Sequence, residues 1–298
     1  MRQINSGGAG LSPVVFNWLS TWKLTRRADL LFASHARLRS MRALFSGDRC
    51  VIDVLMFVLL GAAMGTLGGL FGIGGGLVAI PALGVLFGLD QQLAQGTALL
   101  MVLPNVLLAL LRYNQRNRIS ARNALMLIVP SFCFAWLTSL WAVRLDPQYM
   151  RISFIGFLVL LTVFNLAQMF WRKGQASSEL RHVNRLWLLG VGSGMTGGLF
   201  GVGGGVIATP ILTSFFGATQ VVAQGLALAL AAPSTAITLF TYALHDHVNW
   251  SMGIPLAVGG LASISWGVKL AHSLPERLLR SLFCGFLVIC AVILSFKA

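Results

Sequence analysis

Between Asp53 and Asp90 the chain carries no Asp, Glu, Lys or Arg, and between Arg185 and Asp246 it again carries none. Each run far exceeds the ~20 apolar residues that cross a bilayer as helix. The apolar segments repeat in one order. A long glycine-interrupted stretch (51–88) precedes three helix-length runs (93–111, 122–142, 152–171), and a second such stretch (186–217) precedes three more (222–243, 251–270, 279–296). The pattern predicts an all-α, polytopic membrane protein.

The repetition extends to single residues. "GGLFGIGGGLVAIPAL" (Gly68–Leu83) returns as "GGLFGVGGGVIATPIL" (Gly197–Leu212), with Pro81 and Pro210 at the same point. At the same offset Gln95-Gly96 matches Gln224-Gly225, Pro104 matches Pro233, and Tyr113 matches Tyr242. An internal duplication follows. It divides the chain into a basic tail (1–50), a first transmembrane repeat (51–171), a polar linker (172–185) and a second repeat (186–297).

The segments after the glycines, 77–88 and 206–217, are too short to cross alone, about 18 Å of helix against a ~30 Å hydrocarbon core. Two layouts are open. The glycines break one crossing into half-helices, giving four crossings per repeat, or they form a full turn between two short crossings, giving five. With four, most of the 22 Lys and Arg fall on the side of the N terminus; with five they divide evenly. The positive-inside bias therefore favours about eight transmembrane helices, parallel repeats, a glycine-broken first helix in each, and both termini in the cytoplasm.

Composition agrees: 56% of residues are hydrophobic and 10% charged, against roughly 25% charged in soluble domains. The net charge of +14 belongs to loops between apolar runs, not to a nucleic-acid face. The stretch Leu30–Phe45 reads as a basic amphipathic helix for an anionic membrane surface or as a simple tail. Cys50, Cys133, Cys284 and Cys290 show neither CxxC nor metal-ligand spacing. No GxSxG, HExxH or paired carboxylates mark an enzyme, and no Lys-Ser/Thr follows the glycines as in a phosphate-binding loop.

The glycines have two readings. Gly61, Gly65, Gly69 and their matches Gly190, Gly194, Gly198 recur every four residues, the spacing that lets helix backbones approach closely in lipid. Packing does not account for three consecutive glycines before a proline. Glycine costs roughly 1 kcal/mol in a helix interior, so Gly74, Gly75, Gly76 and Gly203, Gly204, Gly205 predict unwound backbone, tolerated at membrane depth only inside protein or beside water. Such a break exposes amides at the start of the following half-helix, an anion site that needs no basic side chain.

Polar residues inside the apolar runs add donors at matched places: Gln95 and Gln224, then Asn105 and Ser234 directly after Pro104 and Pro233. Their alternative use is interhelical hydrogen bonding. Pro81, Pro104, Pro210 and Pro233 are assigned structural roles. No carboxylate lies in a predicted crossing, so the buried acid relay of many proton pumps is lacking. The triplet His245–His247 reads as a solvated loop, and Arg144 and Lys269 as snorkelling helix ends.

These duplicated motifs, each followed by Gln-Gly and a proline-containing helix, resemble the TauE/SafE family of membrane proteins, over roughly residues 51–297. The resemblance implies transport, usually outward across the bacterial inner membrane, of small sulfur-containing anions such as sulfite or organosulfonates. The site would be Gly74–Gly76, Gln95, Asn105, Gly203–Gly205, Gln224 and Ser234, at the interface of the repeats. The partners expected are a small anionic substrate and the lipid bilayer. No cofactor, metal or nucleic acid is expected, and a homo-oligomer is left open. An anion channel or a scaffold whose glycines only pack helices is the alternative.

Overall fold

The computed structural model describes residues 48–71, 74–116, 121–171, 185–274 and 276–295. The basic tail up to residue 47 and the linker 172–184 lie outside the described residues. From Val54 onward the chain forms one compact unit, to which the packing below refers.

Ten helices and no strand occur among the described residues. The first five are α1 (Asp48–Phe71), α2 (Gly76–Phe87), α3 (Gln91–Arg116), α4 (Ala121–Ala142) and α5 (Pro147–Trp171). The matched five are α6 (Leu186–Phe200), α7 (Gly205–Ser214), α8 (Gln220–Leu244), α9 (Trp250–Ser273) and α10 (Glu276–Ser295). Helices α1, α3, α4, α5, α8 and α9 are long and apolar enough to cross a membrane. Their outward faces carry large apolar side chains, such as Leu160 and Trp266, 65% and 74% exposed. An exposed apolar surface of this extent is unsuited to water and suited to lipid.

The fourth-residue glycines pack helices across the repeats. Gly61, Gly65 and Gly69 of α1 lie against backbone at Leu256, Gly260 and Ile264 of α9, and Gly190, Gly194 and Gly198 of α6 lie against Leu127, Ser131 and Ala135 of α4. A methyl group at any of these glycines would overlap the facing backbone. The first helix of each repeat thus packs on the fourth helix of the other, and the two repeats interlock.

The same contacts fix helix directions. Rising numbers meet rising numbers, so α1 runs parallel to α9, and α6 parallel to α4. In contrast, Gln95 near the start of α3 meets Tyr242 near the end of α8, and Tyr113 near the end of α3 packs on Gly225 near the start of α8. The matched helices α3 and α8 are therefore antiparallel, a relation that parallel repeats forbid. The arrangement expected from the charge count is corrected: the repeats run in opposite senses. The reason lies in the glycine breaks. Each reverses the chain instead of continuing it, so Gly75 packs back on Gly68 and Met64, and Gly204 on Gly197 and Ser193.

Helix α2 occupies the middle of the core. Its residues Gly76–Pro81, Leu83 and Gly84 are buried, and Leu77, Ile80 and Leu83 belong to one apolar cluster with Leu99 of α3, Phe154 of α5 and Leu287 of α10. A 12-residue helix without a charge is stable here because protein covers most of it, leaving only Val85 and Leu86 near its end exposed.

Candidate functional site

The site is built on the two glycine turns. Gly74 and Gly75 have φ of 71° and 92°, and Gly201, Gly203 and Gly204 have φ of 66°, 77° and 69°. This left-handed backbone is open to glycine and strained for side chains with Cβ. The space is closed as well: a Cβ on Gly75 would lie 2.8 Å from Met101 Cε and 3.3 Å from Met64 O, and one on Gly203 would lie 2.5 Å from Thr235 Oγ1. The two turns meet, with Gly76 of the first against Gly201 and Val202 of the second.

Each turn is tied to the helix that follows Pro104 or Pro233. Asn105 Nδ2 donates to Gly74 O (3.3 Å) and Ser234 Oγ to Gly203 O (3.2 Å). Proline cannot donate to the carbonyl four residues back, so α3 and α8 lose a ladder bond beside these contacts. Asn105 and Ser234 are fully buried; Asn105 acts first on its turn, whereas the Ser234 hydroxyl is shared with nearer carbonyls of its own helix, Leu230 O (2.9 Å) and Ala231 O (3.1 Å). Asn105 Oδ1 is left without a partner. Pro81 and Pro210 lie inside α2 and α7, and the Pro210 carbonyl accepts from Gln168 Nε2 of α5 (2.6 Å).

No side chain caps α2 or α7. The first amides of a helix have no helical carbonyl to pair with. At α2 the carbonyl of Gly75 takes the amides of Val78 and Ala79. At α7 the amide of Gly205 is already given to Gly203 O (2.8 Å), so the second turn offers Val206 and Ile207 instead.

The matched glutamines have different surroundings. Gln95 is 0% exposed, with its Cβ beside Gly201, its Oε1 held by the Tyr242 hydroxyl (2.9 Å), and its Nε2 without a partner. Gln224 is half-buried and lines a small pocket with Val106, Val202, Gly205, Val206 and Thr209. The glutamines thus both stand by the second turn, while Asn105 serves the first.

Sequence reasoning passed over three polar side chains here. Tyr242 is 0% exposed and also reaches Leu199 O (3.2 Å). Thr235 and Ser193, against Gly203 and Gly204, have buried hydroxyls without partners. The signal for Tyr242 was present, as its match with Tyr113 is a polar aromatic repeated in an apolar helix. The loop triplet divides: His245 and Asp246 are exposed, whereas His247 is half-buried, its ring edge-on to Tyr242 and its Nε2 3.3 Å from Val143 O. Arg144 and Lys269 are exposed. Among the described residues no cluster of three or more His, Cys, Asp or Glu could hold a metal ion.

A family profile described as "Sulfite exporter TauE/SafE" matches residues 57–294, from α1 to the last turn of α10. The chain belongs to this family. Among its relatives, a probable membrane transporter protein of Xylella fastidiosa is 28% identical over 243 residues, covering 79% of this chain and 90% of the relative. The probable membrane transporter protein YunE of Bacillus subtilis is 24% identical over 234 residues, covering 70% and 85%, and that of Haemophilus influenzae is 26% identical over 271 residues, covering 82% and 98%. The family match spans both glycine turns, so the turns belong to the part of the chain shared with membrane transporters.

Proposed function

We propose that this TauE/SafE protein is a secondary transporter that exports small sulfur-containing oxyanions, such as sulfite or organosulfonates, through a site between its repeats. The observation that carries this reading is the meeting of two glycine turns, each opening an uncapped half-helix, beside a buried glutamine with an unpaired amide nitrogen. Backbone amides at a helix start carry partial positive charge and bind oxyanions without a cationic side chain. Gly74–Gly76 and Gly203–Gly205 shape the backbone; Gln95 and Gln224 donate from side chains; Asn105 and Ser234 hold the turns. The process is transport and not catalysis, and it uses no cofactor.

Opposed repeats suit alternating access, because the same motions carried out by the other repeat open the other face. The three determined pairings, α1 with α9, α4 with α6 and α3 against α8, all fit helices that alternate in direction along the chain. Ten alternating helices return both ends to one face, which we assign to the cytoplasm of the bacterial inner membrane.

The test is ligand stabilisation of the purified protein. Sulfite or an alkyl sulfonate at 100 times its dissociation constant raises stability by about 2.7 kcal/mol. The shift is expected with wild type and lost in Gly75→Val/Gly204→Val. An equal shift in the folded double variant would remove the site from the turns.

A further inference from the structure

We propose that Tyr242 determines selectivity at this site by fixing which end of the Gln95 amide the substrate meets. The inference rests on the oxyanion reading above and adds a residue to it. Gln95 is the one glutamine of the matched pair that the structure buries completely, beside Gly201 of the second turn. A side-chain amide has a carbonyl end that accepts and an NH2 end that donates, and with no neighbours it offers either. Here the choice is made by a residue of the other repeat.

The Tyr242 hydroxyl has one proton and two acceptors within reach, Gln95 Oε1 at 2.9 Å and Leu199 O at 3.2 Å. The shorter contact takes the proton. Gln95 Oε1 is thereby occupied, and its Nε2, buried and without a partner, is the end left for a ligand. A buried donor left unpaired is costly, a cost that a ligand supplying an acceptor removes and one supplying another donor does not. An ionised oxyanion presents only acceptors.

Several features keep Tyr242 in place. Its side chain is fully enclosed, its ring centroid lies 6.3 Å from that of His247 in an edge-on arrangement, and its second contact ties α8 to the last turn of α6. The matched Tyr113 is half-buried and lies against Gly225, whereas Gly96, the match of Gly225, faces the carbonyl of His247. Tyr242 is a positioning residue that acts on the substrate through Gln95.

The experiment compares two competitors of nearly equal shape in proteoliposome exchange of labelled sulfite. Methanesulfonate is an anion with acceptor oxygens; methanesulfonamide is neutral and places an N–H donor in the same position. Wild type is expected to favour the sulfonate strongly. Tyr242→Phe keeps the ring and removes the hydroxyl, so Gln95 can turn its oxygen to the ligand, and the preference should shrink about tenfold. Gln95→Ala should shrink it similarly, and the double variant should shrink it no further. Gln95→Glu, which keeps an acceptor for Tyr242 but has no N–H, should lose sulfonate competition.

A folded Tyr242→Phe protein with the wild-type preference would overturn the proposal, as would a Gln95→Glu protein that still takes sulfonate. A wild type that prefers the sulfonamide would overturn it too, since Tyr242 would then give its proton to Leu199 while Gln95 presented oxygen. Failure of wild type to exchange sulfite or bind either competitor would instead remove the oxyanion reading, and the selectivity role with it.

Discussion

Gly204→Ala and Gly88→Ala place the same methyl group on backbones of similar φ, 69° and 66°, in opposite surroundings. Around Gly88 nothing lies within 4 Å of the added carbon, whereas at Gly204 it falls on the carbonyl of Ser193 in α6. Gly88→Ala therefore costs only the left-handed conformation, about 1–2 kcal/mol. Gly204→Ala carries that cost plus displacement of a packed backbone, about 1–3 kcal/mol more. At roughly 2–4 °C per kcal/mol for a chain of moderate size, thermal unfolding in detergent should separate the two variants by several degrees. Exchange should persist in Gly88→Ala and fall steeply in Gly204→Ala, because the α7 turn can accept the methyl group only by moving. Equal unfolding temperatures with exchange intact in both would refute the claim that the turn is fixed by close contact with α6.

Other variants probe separate parts of the account. Gly194→Val should lower the unfolding temperature by forcing α6 from Ser131 of α4, while Gly192→Val on the same helix, with nothing within 4 Å of the added carbon, should change it little. Gln168→Leu removes donors to Pro210 O and Ser214 Oγ and should cost about 1 kcal/mol, read from the same melts. Gln224→Ala should weaken substrate competition in exchange without lowering the unfolding temperature, since that side chain lines a pocket and is not a fully packed part of the core. Equal loss of stability and affinity would assign Gln224 to packing.

The helices were legible because apolar runs in lipid leave little choice of structure. Segments expected at 122–142 and 222–243 form Ala121–Ala142 and Gln220–Leu244. The fourth-residue glycines could be read as packing positions, but not which helix each meets; that partner lies in the other repeat. The chain reversal was not legible, because a broken helix and a turned one need the same glycines. What decides is contact between residues such as Gly75 and Met64, and local sequence does not contain it. Charge counting favoured parallel repeats because the basic tail, residues 1–50, holds eight of the 22 Lys and Arg.

At the site, the matched pairs Gln95 with Gln224 and Asn105 with Ser234 were visible as repeated polar positions. Their unequal surroundings were not, since nearly identical local sequence surrounds both glutamines. Gly205 shows a finer gap: its place at the helix start was expected, but the donation of its amide to Gly203 O depends on the turn's conformation. What Tyr242 touches was hidden, because its partner, Gln95, is distant in sequence and belongs to the other repeat.

The most direct test of the central claim is counterflow in proteoliposomes loaded with unlabelled sulfite, following entry of labelled sulfite with and without competing sulfonates. Counterflow requires no knowledge of the coupling ion. Saturable, transient accumulation above empty liposomes is expected, inhibited by sulfonates and abolished in Gly75→Val/Gly204→Val. Folded wild-type protein that gives no accumulation, or a double variant that exchanges normally, would contradict it.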